Sequence, residues 1–363
     1  MLVKLSDITN YSKGIQINGD DLIVNGEFAY LNGGINPSGR WNASNVNGNT
    51  VTISEGGNSS GYINYMNEPF WCGAHCYYLY DGPANSKYLY YALKSQQARM
   101  FNIRSGACMP NIKKSDLGNF EFEFNYDEEV QNRVVSILST VETIITQRKK
   151  ELESFDELIK ARFVEIFGDP RSNPFGYEKE PLRNTCKVVT GNTPSRKVPE
   201  YYGEYIEWIK TDNIVSGLLH PTKASECLSE QGALEGRIVD ENAVLMACIA
   251  GSIASIGRVC VTDRRVAFNQ QINAVVPEQY NILFLYILLQ ISKDYLVEDI
   301  NMALKGILSK SRLEEKVFFV PPMKLQNEFA EFVRQVDKSK SVIQQSLEET
   351  QLLFDSLMQE YFG

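Results

Sequence analysis

No apolar run in this 363-residue sequence is long enough to cross a bilayer: even one as long as Ile282 to Leu289, which no other run exceeds, falls far short of the roughly 20 residues a spanning helix needs. The first ten residues, MLVKLSDITN, lack the basic-then-apolar layout of a secretory leader, so a soluble, cytoplasmic chain with no membrane partner is expected. The seven cysteines, at positions 72, 76, 108, 186, 227, 248 and 260, are odd in number and scattered. That excludes a disulfide framework and fits a reducing compartment. Histidine occurs only as His75 and His220. Cys72, His75 and Cys76 are ligand types, but no second Cys/His pair accompanies them, so strand packing is expected and no metal is assigned. A basic excess is missing as well. The net charge is −9, and the segments 1–127, 128–168, 169–320 and 321–363 are each negative by two or three charges. Phosphate contacts normally leave a basic footprint, so none of these segments would grip nucleic acid alone by bulk charge.

Catalytic constellations are also absent. Asn173-Pro174-Phe175-Gly176 resembles an amino-methyltransferase motif only faintly, lacking its second proline and a nearby glycine-rich cofactor turn, and reads as an interdomain turn. The glycine-rich stretch from Gly56 to Gly61 has no lysine in the P-loop position. No catalytic residue and no cofactor is assigned.

What is present begins with size and composition. A chain of this length exceeds one ordinary core, and 43% hydrophobic with 22% charged residues is globular throughout, so two folded domains are expected. An internal repeat organises them. Gln131-Asn132, Leu152-Glu153, Leu158, Glu165 and Phe167-Gly168 recur 195 residues later as Gln326-Asn327, Leu347-Glu348, Leu353, Glu360 and Phe362-Gly363. Both stretches carry alternating steps of four and three, the a/d spacing of a coiled-coil seam. The first seam is Val134, Leu138, Val141, Ile145, Arg148, Leu152, Phe155, Ile159, Arg162 and Ile166. The second is Phe329, Val333, Val336, Lys340, Ile343, Leu347, Thr350, Phe354, Leu357 and Tyr361. Neither stretch contains an internal Pro or Gly, and a helix of 40 residues would be about 60 Å long. Its apolar stripe needs a partner, and each helix can supply the other's; separate packing of each on its own domain is the alternative.

Upstream, Leu5 to Gly14 aligns with Leu182 to Gly191 at an offset of 177. Between these landmarks lie β-type runs at Thr50 to Ser54, Ile206 to Lys210, Ala243 to Ile249 and Arg258 to Thr262. One amphipathic helix is expected late in each half, Ser86 to Asn102 and Asn281 to Asp299, each followed by a glycine, Gly106 or Gly306. The spacing predicts an α/β (α+β) protein: domain 1 over 1–127, a helix over 128–168, domain 2 over 169–320 and a second helix over 321–363.

The second half carries a specific order of short motifs: Gly191-Asn192-Thr193-Pro194-Ser195, Tyr205-Ile206-Glu207-Trp208-Ile209 with Asp212, Ser255-Ile256-Gly257-Arg258, and Ala267-Phe268-Asn269-Gln270-Gln271-Ile272-Asn273-Ala274-Val275-Val276-Pro277. Gly306, Val320-Pro321-Pro322 and Gln326 then lead into the long helix. In this order the half resembles a Type I restriction-modification specificity subunit over nearly its whole length. The first half departs from the pattern. It lacks G-x-T-P and F-N-Q and carries instead Gly33-Gly34-Ile35-Asn36-Pro37-Ser38-Gly39, the Gly56–Gly61 stretch and Phe70-Trp71.

The resemblance implies two similar target-recognition domains in a pseudo-two-fold arrangement, separated by two antiparallel coiled-coil helices. Each would read one half of a bipartite double-stranded DNA target. It implies a non-catalytic subunit that directs adenine methylation or cleavage by partners: two methyltransferase (modification) subunits, and restriction/translocase subunits in the full complex. Two other readings remain open at this point, a fused restriction–methyltransferase enzyme and a coiled-coil scaffold or antirestriction decoy. DNA reading draws on Arg or Lys for guanine, Asn or Gln for adenine, and small polar side chains for phosphates. By type and loop position the candidates are Arg40, Trp41, Asn58, Ser59, Ser60, Tyr62, Arg104, Lys113 and Lys114 in the first half. In the second they are Thr193, Ser195, Arg196, Lys197, Arg264, Arg265, Lys305, Lys310 and Arg312. Asn269, Gln270 and Gln271 serve either bases or a buried turn.

Overall fold

A computed structural model describes residues 1–106, 108–249, 252–298, 300 and 306–363. The chain forms two compact units, one of residues 1–148 with 346–363 and the other of residues 149–345.

In the first unit, β1 (Leu2–Lys4) leads through a short α1 (Leu5–Ile8) into β2 (Asn10–Lys13), followed by β3 (Phe28–Leu31), β4 (Gly39–Trp41), β5 (Thr50–Ser54), β6 (Ile63–Met66), β7 (Phe70–Cys72) and β8 (Cys76–Tyr80). Then come α2 (Ser86–Ser95), α3 (Gln97–Asn102), α4 (Lys114–Gly118), β9 (Glu121–Glu123) and the 40-residue α5 (Glu128–Phe167). The strands make a four-stranded antiparallel sheet in the order β2-β8-β5-β6, a three-stranded sheet β4-β3-β7 in which β3 and β7 run parallel, and a β1-β9 pair. The β-branched run Thr50-Val51-Thr52-Ile53 is buried on both faces because α2 covers one side of its sheet and the second sheet approaches the other.

The second unit repeats this plan. It comprises β10 (Lys179–Pro181), α6 (Leu182–Thr185), β11 (Cys186–Thr190), β12 (Tyr202–Gly203), β13 (Ile206–Ile209), β14 (Cys227–Leu228), α7 (Glu230–Glu235), β15 (Ile238–Val239), β16 (Val244–Ala247), β17 (Val259–Val261), β18 (Val266–Phe268) and β19 (Ile272–Pro277). After these come α8 (Ile282–Ile291), α9 (Lys293–Val297), α10 (Lys310–Glu315), β20 (Val317–Phe319) and the 40-residue α11 (Met323–Phe362). The sheets are β11-β19-β16-β17, β12-β14-β13-β18-β15 with β13 and β18 parallel, and a β10-β20 pair. Strand for strand, β2-β8-β5-β6 corresponds to β11-β19-β16-β17, and the parallel β3/β7 pair to β13/β18.

The repeated sequence landmarks have local causes. Gln131 donates to the Asn125 carbonyl at 2.6 Å, and Gln326 to the Pro321 carbonyl at 2.8 Å. Asn132 and Asn327 each accept, at 2.9 Å, from the asparagine that caps the domain helix, Asn85 or Asn281. The Gln-Asn pair therefore ties the start of each long helix to its own domain.

Each expected domain helix is in fact two. The first breaks at Gln96, between α2 and α3, and the second at Ser292, between α8 and α9. Nor is α8 amphipathic: ILFLYILLQI is apolar nearly all round, and seven of its residues are buried. It packs on β16 and β17 while Phe284 stacks on Phe163 of α5 at 5.4 Å. Burial on both sides removes the need for a polar face.

Most of the residues spaced as seam positions are buried or half-buried. Val134, Leu138, Val141, Ile145 and Ile159 are buried on α5, and Phe329, Val333 and Val336 on α11. Phe155, Leu152, Ile343, Leu347, Phe354 and Leu357 are half-buried. In the first unit Phe354, Leu357, Tyr361 and Phe362 pack on the core that holds Val134 and Leu138. In the second, Ile159, Phe163 and Phe167 share a core with Phe329, Val333 and Val336. Within each unit the helices thus pack on each other and on the domain at once. Lys340 answers its seam position with an ion pair to Asp156 at 2.7 Å. Arg162 does not lie in the seam: it is exposed and paired with Glu165, while Phe163 and Phe167 take the buried face. A helix of 3.6 residues per turn drifts about 20° per heptad against a 3.5 repeat, and Phe284 and Phe329 fix which side wins.

Candidate nucleic-acid interface

The loop leaving the first strand of each four-stranded sheet is held at a point of close backbone approach. A Cβ on Gly191 would lie 2.1 Å from the Asn269 carbonyl oxygen, and one on Gly14 would lie 1.8 Å from that of Cys72. Only glycine fits at these aligned positions. Beyond Gly191, Asn192 accepts from the Arg237 amide at 2.7 Å and donates to the Glu235 carbonyl at 2.7 Å. The Asn192 carbonyl also accepts from the Trp208 indole at 3.2 Å. Thr193 donates to the Gln270 side chain, and the Pro194 carbonyl accepts from Tyr202 at 2.7 Å. Asn269 is buried and closes its own turn by accepting from the Gln271 amide at 3.1 Å. The G-x-T-P and F-N-Q motifs therefore build one pinned loop pair.

On β13 the side chains alternate. Ile209 faces the core between the sheets, while Ile206 and Trp208 face the side covered by α7. Lys210 continues the Trp208 face, and Arg196, from the loop after β11, lies over the same aromatic surface. The Arg196 guanidinium sits 4.4 Å from the Tyr202 ring and 5.1 Å from Trp208, and Lys210 sits 5.2 Å from Trp208. Both cations meet Glu226, Arg196 at 2.7 Å and Lys210 at 3.0 Å. Their hydrogen bonds hold the Glu226 carboxyl below the usual carboxylate range. Thr193, Ser195, Arg196 and Lys197 are all exposed on this loop.

Arg264 is committed elsewhere. It forks onto both Glu207 oxygens at 2.7 and 2.9 Å and also bonds Asp263 at 2.6 Å, and its hydrogen bonds hold Glu207 below the usual range against the pull of burial. Its neighbour Arg265 is exposed, 3.5 Å from Asp240. Lys310 and Arg312 belong to α10, which packs on α6 and β11, so they are not part of the Arg196 loop. Lys305 lies outside the described residues.

In the first unit the candidates divide similarly. Arg40 is spent on the Gly26 and Glu27 carbonyls at 2.5 and 2.6 Å. Trp41 packs edge-to-face on Trp71 at 6.4 Å, and Trp71 donates to the Ile15 carbonyl at 2.7 Å. Ser60 is fully buried and donates to the Glu55 carbonyl at 2.8 Å, which withdraws it from any external contact; Ser59 bonds the Gly33 carbonyl at 2.6 Å. Asn58 at the tip is exposed. Tyr62 lies under Lys94 at 3.8 Å, and burial pushes the Lys94 ammonium down to about 8. Arg104 folds back on Phe101, donating to its carbonyl at 2.7 Å. Lys113 and Lys114 are exposed at the start of α4. Cys72 and Cys76 lie in the core between the two sheets, while the exposed His75 pairs with Glu55 at 3.2 Å. Asn173 to Gly176 form a turn closed by Asn173 on Tyr177 at 2.8 and 3.1 Å.

Reasoning from residue type missed Lys210, Glu226 and Lys94. The Trp208–Lys210 alternation on a strand was a usable signal; the approach of Glu226 to Arg196 has no local one. Among the described residues no group of three or more His, Cys, Asp and Glu could hold a metal ion, and no helix is long and apolar enough to cross a membrane.

The sequence model of the Type I restriction modification DNA specificity domain matches residues 1–154 and 174–351. A curated type I specificity subunit of Mycoplasma genitalium is 31% identical over 157 residues, 42% of this chain and 40% of its own length. The MjaIX restriction enzyme specificity subunit of Methanocaldococcus jannaschii is 23% identical over 276 residues, 69% of this chain and 62% of its own. The chain thus spans less than two thirds of these relatives. Among solved structures, the crystal structure of a Type I restriction-modification S subunit from M. genitalium superposes with a TM-score of 0.66 at 18% identity, covering 100% of this chain and 96% of that one. A chain from a study of type I restriction-modification complex assembly gives 0.53 at 15% identity, covering 99% and 96%. These two share the fold.

Proposed function

Because the chain belongs to the Type I restriction modification DNA specificity family, we propose that it is the non-catalytic specificity subunit of a restriction-modification complex, reading a bipartite DNA sequence and directing adenine methylation or cleavage by partner subunits. One observation carries this reading. A single strand order is used twice, while the loops emerging from it differ in chemistry. The second unit offers Arg196, Lys210 and Glu226 around Tyr202 and Trp208; the first offers Lys13, Glu55 and His75, with a separate tryptophan pair. Conserved scaffolding with divergent loops suits two readers of unrelated half-sites. On this proposal residues 1–127 and 169–320 are the readers, and the exposed candidates named above supply contacts to bases and phosphates.

The partners are two methyltransferase subunits, with restriction/translocase subunits in the full complex. The acidic balance of every segment supports this, since the basic footprint would then come from the partners. Exposed apolar residues on the long helices, including Leu158, Val342, Leu352 and Leu353, are suited to subunit docking. The test is methylation mapping of host genomes with and without the chain. A split adenine-methylated motif that vanishes on deletion is expected; methylation unaffected by the deletion overturns the proposal.

A further inference from the structure

We infer that Arg196 and Glu226 together form a reading head for one G·C base pair, Arg196 donating to guanine and Glu226 accepting from the amino group of cytosine. The inference rests on the DNA-reading role and goes beyond it by naming the base pair and the acceptor.

The pairing pattern comes first. Arg196 uses only Nη2 toward Glu226 Oε2, and among the described residues its Nε and Nη1 have no partner. Lys210 reaches the same Oε2, so Glu226 Oε1 is likewise open among the described residues. Nη2 carries two hydrogens, so whichever one Glu226 takes, the other, together with Nη1 or Nε, leaves one two-donor edge of the guanidinium open beside a free acceptor. In the major groove a G·C pair presents guanine N7 and O6, both acceptors, followed by the cytosine N4 donor. That edge is the complement of this pair of side chains. A reversed pair puts the donor first, and an A·T pair interposes the adenine amino group, so either leaves a donor facing a donor.

The head is also preorganised. Tyr202 and Trp208 support the guanidinium from beneath, and both rings are tied to the loop bearing Arg196, through the Pro194 and Asn192 carbonyls. The Glu226 carbonyl accepts from the Trp208 amide at 3.0 Å, which fixes the backbone under the carboxylate. Little side-chain freedom is left to lose on binding. The head remains accessible: the Arg196 side chain is 53% and that of Glu226 37% exposed. With Lys210 the cluster keeps one net positive charge toward phosphate.

The experiment expresses the complete chain with its methyltransferase subunits in a host that lacks this methylation, and maps methylated sites for wild type, Arg196→Gln and Glu226→Ala. The expected wild-type motif has a G·C pair in the half that depends on residues 182–320. Glutamine complements adenine, so Arg196→Gln moves or relaxes preference toward A·T at that one position. Glu226→Ala relaxes the same position, with discrimination falling about tenfold or more. The other half stays unchanged. Both variants methylating the wild-type motif unaltered overturns the inference while leaving the specificity role intact; a wild-type chain giving no split motif overturns the role itself. If a variant stops methylating, purified complexes compete for duplexes carrying each of the four base pairs at that position. Selective loss on the G·C duplex supports the head, and equal loss on all four overturns it.

Discussion

Arg264 shows how far residue type carries a functional assignment. Its charge and loop made it a candidate DNA contact, yet its fork is filled by Glu207, 57 residues earlier in the chain. Nothing local in sequence announces a partner at that separation. Ser60 is a similar case, a small polar loop residue whose hydroxyl closes its own turn. By contrast Gly191, legible as part of a motif, acquires its reason only from the 2.1 Å gap to Asn269. The Glu207–Arg264 pair makes a stability prediction. Glu207 titrates below its usual 4.5 in the folded chain, so the pair stabilises above that value and the contribution is lost as pH falls through the depressed folded value. Glu207→Gln should flatten the acid limb of a urea-unfolding series taken from pH 7 to pH 3, by about 1 kcal/mol for a partly exposed pair. An acid limb as steep as wild type would mean that the pair contributes nothing.

At the level of elements, periodicity located both long helices and most of their buried face. What it could not supply was the phase at the end of α5, because the winner there is decided by Phe284, from a different helix. A strict heptad expects Arg162 inside, whereas the fold has Phe163. Phe163→Ala should therefore cost about 3–5 kcal/mol, and Arg162→Ala less than about 0.5 kcal/mol. Chemical denaturation of the two variants checks this, and comparable losses would restore the strict heptad. The breaks at Gln96 and Ser292 escaped detection because neither glycine nor proline marks them.

For the whole molecule, the repeat was visible at its ends, in Leu5–Gly14 against Leu182–Gly191 and in the Gln-Asn pairs, but not between them. There the halves preserve strand order while sharing little sequence, so equivalence such as that of β7 with β18 emerges only in three dimensions. If each half reads through its own loops, exchanging residues 182–320 for the same region of a relative should alter one half of the methylated motif. Motif mapping that showed both halves changing together would refute modular reading.

The division of the chain also constrains its biosynthesis. The first unit needs residues 346–363, and its aromatic core takes Phe354, Leu357, Tyr361 and Phe362 from the last turns of α11. The half that leaves the ribosome first is thus the half completed last. At about 5–20 residues per second, tens of seconds pass while residues 149–345 are made. Throughout that interval Tyr88, Tyr91 and Val134 await their closing partners. A product that stops short of residue 346 would carry an open apolar seam in its oldest part, exposed to the proteases and chaperones that act on incompletely packed chains.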